Sequence, residues 1–283
     1  MAHWIVTADD LGFSPLTNEA ILRLARERRL TNASLMVNMP FCEEILPEIA
    51  AQVPWLGVGL HFTLTSGRSV AASAEVPALV DGNGRFRLSF GALWKQRRSV
   101  EFLRQVRVEF EAQYARAESL LAACGLKLAH IDSHQHIHAI PGIFDLAAER
   151  ALQTDLRLRI PSERFGSWGR FLRRFSHWFP MGLVKREVLR LCLRPGLKRF
   201  PQLPRTEYVG ILDSGHVTAA AWRAIRRAYE RQDVTLEVNL HPAISCDLSP
   251  YASQICCSKE DLRFWSQRQR VLEYEAAEVP PQV

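Results

Sequence analysis

The stretch from Trp4 to Arg29, WIVTADDLGFSPLTNEAILRLARERR, decides the fold class of this sequence. Its first part is rich in β-forming residues and ends in two acids, Asp9 and Asp10. Its second part has Ser14 at the N-cap position of a helix and Pro15 in the first turn. A short strand that passes into a helix in this way is the repeating unit of α/β proteins.

The same unit recurs along the chain. Further strands are predicted in ASLMVN (33–38), in GVGLHFTLT (57–65), from Leu128 onward, in LRLRIPSE (156–163) and in TLEVNLHPA (235–243). Helices are predicted over 99–124, where apolar residues recur every three or four positions before Gly125, and near 142–153. The alternation predicts an α/β fold with a mainly parallel sheet, open or closed into a barrel.

The length of the chain fits one large α/β domain or two small ones, and does not decide between them. The 283 residues are 47% apolar and 23% charged, which is ordinary for a chain that can bury a full core. The six cysteines form no CxxC pair, which favours reduced thiols. MAHWIVTADD lacks the basic region of a signal peptide, and no apolar run reaches the ~18 residues of a membrane span. We therefore expect a cytoplasmic protein.

A dense group of chemically capable residues occupies HIDSHQHIH, residues 130–138. If this stretch is an extended strand, its alternate residues His130, Asp132, His134, His136 and His138 can all face the same way. Such a ladder can build a catalytic metal site, but it also suits a metal-storage tract or a solvated edge strand.

Three other predicted strands also end in polar residues, namely Asp9–Asp10, His61 and His241. Singly, each has a structural explanation, because aspartates can cap the next helix and a lone histidine is often only hydrogen-bonded. Together they indicate more. Carboxylates and imidazoles that separate strands bring to one edge are how a catalytic divalent-metal site is built, with positions left for water.

Six segments occur in order between about residue 4 and about residue 243. They are VTADDLGFSPLTNEAI, TNASLMVN, GVGLHFTLTSG, HIDSHQHIHAIPGIF, RIPSE and EVNLHPA. In this order they resemble the YdjC-like carbohydrate deacetylase family. The resemblance implies a deviant (β/α) barrel of the polysaccharide-deacetylase type, formed by a single domain over residues 1–283. It also implies metal-dependent hydrolysis of the N-acetyl group of an amino sugar.

The resemblance assigns roles to individual residues. It makes Asp10, His61 and His134 the ligands of one divalent metal ion. Zinc is the expected ion, with magnesium, nickel, cobalt and manganese as alternatives. Asp9 becomes the general base, and His241 is the candidate acid that protonates the leaving amine.

Further polar residues are expected to support the metal ligands or the substrate. We expect Asp132 to accept a proton from a ligating imidazole. By analogy with polysaccharide deacetylases, Arg159 is expected to orient Asp9. His136 is expected beside the ligands or the substrate, whereas His138 is given a structural role.

The basic segment, residues 164–200, carries a formal charge of +9, which leaves −3 for the rest of the chain. One interpretation is a helical insertion that packs on the barrel and has an arginine-rich outer face. The other is a patch for an anionic membrane surface. Its lipid-facing residues are then Trp168, Arg170, Arg173, Arg174 and Trp178. That interpretation predicts a peripheral protein on the inner face of the cytoplasmic membrane. Nucleic-acid binding is not expected, because no recognition motif is present.

More than one substrate and more than one reaction class are compatible with the sequence. EYVGILDSGHVTAAAW (207–222) resembles the hopanoid-biosynthesis branch of the family, called HpnK, which implies an acetylglucosaminyl hopanoid glycolipid. The alternative is a soluble chitooligosaccharide of the diacetylchitobiose type. A more distant alternative is a metal-dependent phosphoesterase, which needs two ions about 3.5–4 Å apart. A lipid- or metal-binding protein without activity is also open.

Overall fold

The structure is a computed structural model that describes residues 2–164, 179–212, 214 and 217–277. Within these ranges the strands are β1 (His3–Leu11), β2 (Asn32–Leu35), β3 (Gly57–Phe62), β4 (Leu128–Ser133), β5 (Arg157–Leu158), β6 (Glu207–Val209) and β7 (Thr235–Leu240). They form one sheet in the order β5-β4-β3-β2-β1-β7-β6. All neighbouring strands are parallel, which confirms the predicted α/β fold. The sheet curls as a half-barrel with β5 and β6 at its edges.

The described helices alternate with the strands over most of the chain. They are α1 (Pro15–Arg26), α2 (Leu46–Gln52), α3 (Phe90–Gln96), α4 (Val100–Ala123), α5 (Ile143–Gln153), α6 (Phe179–Arg199), α7 (Ala219–Tyr229), α8 (Lys259–Trp265) and α9 (Gln269–Ala277). The helices predicted over 99–124 and near 142–153 correspond to α4 and α5.

The start of α1 follows the local sequence. Ser14 has an extended backbone, and its hydroxyl accepts a hydrogen bond from Thr17 N at 3.2 Å. Ile21 and Leu24 on the inner face are fully buried, and burial of each side chain contributes about 1.5–3 kcal/mol. This packing holds the end of β1 in place.

The sheet order brings the predicted polar strand ends together. β1 lies between β2 and β7, and β3 lies between β2 and β4. Because all these strands are parallel, Asp9, His61 and Asp132 lie towards the same edge, where His61 and Asp132 are register partners. This is the edge at which α/β proteins place their binding sites.

The histidine-rich stretch departs from the predicted strand. β4 ends at Ser133, and His134–Ala139 form a 3₁₀ turn in which Gln135 and His136 have φ values of 54° and 57°. Side chains in such a turn do not alternate between two faces. The prediction of one continuous histidine face is therefore wrong beyond Ser133.

Of the basic segment, the structure describes Arg164 and the stretch from Phe179 to Phe200. That part forms α6, which contacts α5 and the 3₁₀ turn after β4, as a packed helical insertion predicts. The residues predicted to face lipid lie outside the described residues: Trp168, Arg170, Arg173, Arg174 and Trp178. In the described part of the chain, no helix combines the length and apolar character that a membrane crossing requires.

Candidate metal centre and active site

The end of β1 turns so that two consecutive carboxylates reach the same place. Adjacent residues of a regular strand face opposite ways. Here the register with β2 shifts between Ala8 and Leu11, and Asp10 has a left-handed φ of 63°. As a result His61 Nε2 lies 3.1 Å from Asp10 Oδ1 and 3.9 Å from Asp9 Oδ2.

Gly12 completes this turn two residues later. Its φ is 93°, and a Cβ at this position would lie 2.8 Å from Cys42 Cβ. Asp10 O accepts a hydrogen bond from Phe13 N at 3.1 Å, which closes the turn. A left-handed aspartate costs about 1–3 kcal/mol, so such backbone strain points to a functional site.

Asp10, His61 and His134 form a buried group that can hold a metal ion. One donor atom from each lies within 4.8 Å of the others. His134 Nδ1 is 2.8 Å from Asp10 Oδ1. A carboxylate and two imidazoles suit zinc and several other divalent transition metals, so the donor set fits the predicted ion.

Each of the two imidazoles has a carboxylate on its other nitrogen. His61 Nδ1 lies 2.6 Å from Asp132 Oδ1, and His134 Nε2 lies 2.9 Å from Asp261 Oδ1. These partners favour a proton on the nitrogen that faces them, which leaves the lone pairs of His61 Nε2 and His134 Nδ1 available to a metal ion beside Asp10.

The electrostatics of this group favour added positive charge. Burial alone would lower the pKa of His61, but Asp132 and Asp9 outweigh it and raise this pKa to about 9. The pKa of His134 likewise rises well above its ordinary value, against burial, because of Asp10 and Asp261. A divalent ion would supply the positive charge that these carboxylates otherwise attract as protons.

Arg159 holds Asp9 in a fixed orientation. Its Nη1 and Nη2 donate to Asp9 Oδ2 and Oδ1 at 2.8 and 2.9 Å. The same guanidinium contacts Asp132 Oδ2 at 2.8 Å and Glu237 Oε1 at 2.8 Å, and it is fully buried. Asn239 Nδ2 also donates to Asp9 Oδ2, at 2.9 Å. Paired donors of this kind are among the strongest hydrogen bonds in proteins.

His241 lies on the other side of Asp9. Its Nε2 is 4.0 Å from Asp9 Oδ2, and its backbone N donates to Glu273 Oε2 at 2.8 Å. Burial lowers the pKa of His241 to about 3, so the imidazole is neutral at pH 7. At 4.0 Å the two side chains form no direct hydrogen bond, but the gap can be bridged by one water molecule.

The chain matches the model of a known protein family over most of its length. The family model described as YdjC-like protein matches residues 3–280. The chain belongs to the YdjC-like family.

Several curated proteins are 34–40% identical to this YdjC-like chain over part of their length. A carbohydrate deacetylase of Brevibacillus brevis is 40% identical over 157 residues, which cover 56% of this chain and 58% of that protein. A chitooligosaccharide deacetylase of Proteus mirabilis is 36% identical over 164 residues, with coverages of 56% and 60%. A chitooligosaccharide deacetylase of Yersinia pestis is 34% identical over 181 residues, with coverages of 63% and 68%. The matches to the first two relatives thus span about three fifths of those proteins' length.

A solved structure supports the fold of this YdjC-like chain. It is an Enterococcus faecalis protein that was provisionally named a cellobiose-phosphate cleavage protein. It is 21% identical, has a TM-score of 0.62, and the match covers 98% of this chain and 94% of that protein. At this identity the likeness concerns the fold alone.

His136 and His138 lie near the Asp10–His61–His134 group without joining it. His138 contacts Ser133 Oγ at 2.5 Å and Arg159 O at 2.9 Å, and burial lowers its pKa to about 4. These bonds suit the structural role predicted for it. His136 is buried with an edge towards the Tyr208 ring, and its Nδ1 has no hydrogen-bond partner among the described residues.

Three acids of this site escaped the reasoning from sequence: Glu237, Asp261 and Glu273. Asp261 follows His134 by 127 residues, yet α8 brings it to that imidazole. The sequence feature that could have indicated Asp261 is the helix-capping pattern SKED (258–261), in which Asp261 N donates to Ser258 Oγ at 3.0 Å. Glu237 also left a signal, because it is an acid inside the otherwise apolar run TLEVNL.

Proposed function

We propose that this chain is a metal-dependent hydrolase that removes the N-acetyl group of an amino sugar. The observation that carries the proposal is the position of Asp9, which lies beside the Asp10–His61–His134 group and is held by Arg159. Amide hydrolysis at a metal needs one carboxylate on the ion and another that can take a proton. The names of the relatives, carbohydrate and chitooligosaccharide deacetylase, support the same class.

Asp10, His61 and His134 would hold the ion, and we propose zinc. A divalent ion bound there supplies Lewis-acid polarisation of the acetyl carbonyl and lowers the pKa of the attacking water. Asp9 accepts the proton that this water loses. Arg159 and Asn239 keep the Asp9 carboxylate in position, so no side-chain entropy is lost at the moment of reaction.

The leaving amine must gain a proton before the C–N bond breaks. Because His241 is neutral in the free protein, the proton must reach it during turnover. Asp9 is the source, since it has just taken a proton, and one bridging water can carry this proton over the 4.0 Å between Asp9 Oδ2 and His241 Nε2. The proton that water loses thus becomes the proton that the amine gains, and acetate is released. Glu273 holds the His241 backbone during this transfer.

For the substrate we propose a short chitooligosaccharide of the diacetylchitobiose type, because the relatives carry such names. The acetylglucosaminyl hopanoid rests on the resemblance of residues 207–222, of which 213, 215 and 216 lie outside the described residues. Acetate release by the purified chain from diacetylchitobiose, compared with release from an acetylglucosaminyl lipid, decides between the two.

Phosphoester hydrolysis has weaker support. A second ion would have to use Asp9, His61 and Asp132. However, Arg159 already donates to both carboxylates, so a cation occupies that position. Elemental analysis should find one metal ion per chain; two ions would favour the phosphoesterase.

The membrane interpretation of residues 164–200 also stays a proposal, supported by their charge of +9. It places the protein peripherally on the inner face of the cytoplasmic membrane. In liposome flotation, replacement of Arg170, Arg173 and Arg174 by Gln should weaken binding to anionic vesicles. Equal flotation of both proteins removes the proposal.

The base assignment is tested by Asp9→Asn. General bases contribute about 10²–10⁴ in rate, so acetate release should fall at least 100-fold while one metal ion per chain is retained. Asp155→Asn is the matched control, because Asp155 is exposed and its left-handed φ of 53° tolerates asparagine. Wild-type acetate release by Asp9→Asn with bound metal would show that Asp9 is not the base.

A further inference from the structure

A cavity of about 400 Å³ lies beside the metal-binding group. Its polar lining comes from Gln135, Lys185, Ser214 and Glu260. Gln135 follows His134 in the chain, and its Nε2 donates to Asp261 Oδ1 at 3.1 Å. Glu260 directly precedes Asp261. The polar part of the cavity therefore adjoins the candidate active site, and its volume is in the range of small-molecule pockets.

The rest of the lining is mainly apolar and is built by α6 and the loop after β6. Leu189 of α6 and Ile211 of that loop are both 2% exposed. Sugar rings have apolar C–H faces and polar hydroxyl edges, so a cavity with aliphatic walls and a few polar groups can accept one.

Glu163 holds the two parts of this wall together. Its carboxylate accepts hydrogen bonds from the backbone N of Ile211 and Leu212, at 2.8 and 2.9 Å. Its backbone oxygen accepts a hydrogen bond from Arg186 Nε of α6 at 2.7 Å. The wall is therefore organised before any ligand enters, which lowers the entropic cost of binding.

Lys185 brings a cation from α6 to this cavity. Within the part of the chain that the structure describes, no ion pair or hydrogen bond engages its ammonium group. The charges of Asp9, Glu260 and Glu163 act on it, and it acts in turn on His136 and His241. Burial lowers the pKa of Lys185, which reflects incomplete solvation of the ammonium. The ammonium thus lies at the cavity without a partner among the described residues, and an oxygen of a cavity-bound ligand can accept a hydrogen bond from it.

We propose that this cavity binds the sugar ring that carries the acetamido group, and that Lys185 determines specificity by donating to an oxygen of that ring. Glu260, at the same part of the lining, accepts from a hydroxyl group. The basic helix α6 thereby acts as a wall of the substrate site. This inference rests on the proposed deacetylase function and names the residues that select its substrate.

Lys185→Met tests the inference because it removes the ammonium and keeps an unbranched chain. Hydrogen bonds to charged groups correspond to about 10- to 150-fold in affinity. With diacetylchitobiose, KM should therefore rise at least 10-fold while kcat changes less than threefold, and Lys185→Arg should restore part of the loss. Lys198→Met is the matched control, since Lys198 is an exposed lysine of the same helix. A wild-type KM for Lys185→Met overturns the inference.

A second measurement separates this inference from the proposed reaction. If the wild-type chain releases no acetate from any acetylated amino sugar, the reaction is wrong. Calorimetric titration with diacetylchitobiose then judges the cavity alone. Binding by the wild type and by Lys198→Met, with at least 10-fold weaker binding by Lys185→Met, supports the sugar site. Absence of binding to the wild type, or equal binding by all three proteins, overturns it.

Discussion

Replacing Asp261 by asparagine should weaken metal binding without unfolding the protein. His134 Nε2 lies 2.9 Å from Asp261 Oδ1, and both side chains are at least 90% buried. Asparagine keeps an oxygen that can accept a hydrogen bond from the imidazole N–H. It removes the negative charge that makes the other ring nitrogen a stronger electron-pair donor to a metal ion. Loss of such a carboxylate behind a ligating histidine typically costs 10- to 100-fold in metal affinity, or about 1.4–2.7 kcal/mol.

The contacts of Asp261 indicate that the fold will tolerate this change. Its second oxygen accepts hydrogen bonds from the hydroxyls of Ser66 and Ser258. A hydroxyl can rotate and accept instead, so the asparagine amide can be accommodated. We therefore expect the unfolding free energy to change by about 1 kcal/mol.

The assay is isothermal titration of the metal-free protein with zinc, supported by urea denaturation. Glu230→Gln is the matched control, because Glu230 is an exposed acid that pairs only with Arg226, at 3.5 Å, among the ion pairs of the described residues. We expect a zinc Kd about tenfold higher for Asp261→Asn and an unchanged Kd for the control. If Asp261→Asn binds zinc as the wild type does, then Asp261 does not support the ligand His134.

Three further predictions concern the core around the site. Arg159→Met leaves buried carboxylates without their guanidinium, so urea denaturation should show a loss of about 3–5 kcal/mol; a loss under 1 kcal/mol contradicts the pairing. Gly59→Ala would place a Cβ 2.3 Å from the His130 ring and should cost about 1–3 kcal/mol by thermal denaturation, whereas Gly91→Ala, where nothing lies within 4 Å, should cost nothing. Burial raises the pKa of Glu109 to about 7, so the folded state binds its proton more tightly than the unfolded state does. The contribution of Glu109 to stability is therefore greatest below its ordinary pKa and falls by about 3 kcal/mol as pH rises to 7, measured as the difference in unfolding free energy between the wild type and Glu109→Gln. A pH-independent difference would contradict this assignment.

Local patterns predicted the framework because the forces that decide it are local. The N-cap at Ser14 and the spacing of apolar residues before Gly125 placed α1 and α4 to within a few residues. The α/β class and the shared edge of polar residues followed from the alternation of strands and helices.

The parts that sequence could not show depend on backbone conformation or on distant contacts. HIDSHQHIH alternates like a strand, but left-handed residues at Gln135 and His136 turn the chain after Ser133. The left-handed backbone of Asp10, which turns the end of β1, was likewise not predicted. Asp261 could not be paired with His134 from sequence, because only the packing of α8 brings the two together.

The shared guanidinium of Arg159 has a consequence for engineering of the proposed site. The same side chain binds both Asp9, the proposed base, and Asp132, the carboxylate that contacts the proposed ligand His61. A substitution of Asp9 therefore also changes the contacts of Asp132 and, through it, of His61. The effects of substitutions at Asp9 and Asp132 should be strongly non-additive in a double-mutant cycle. The residues proposed for proton transfer and those proposed for metal binding therefore have to be redesigned together.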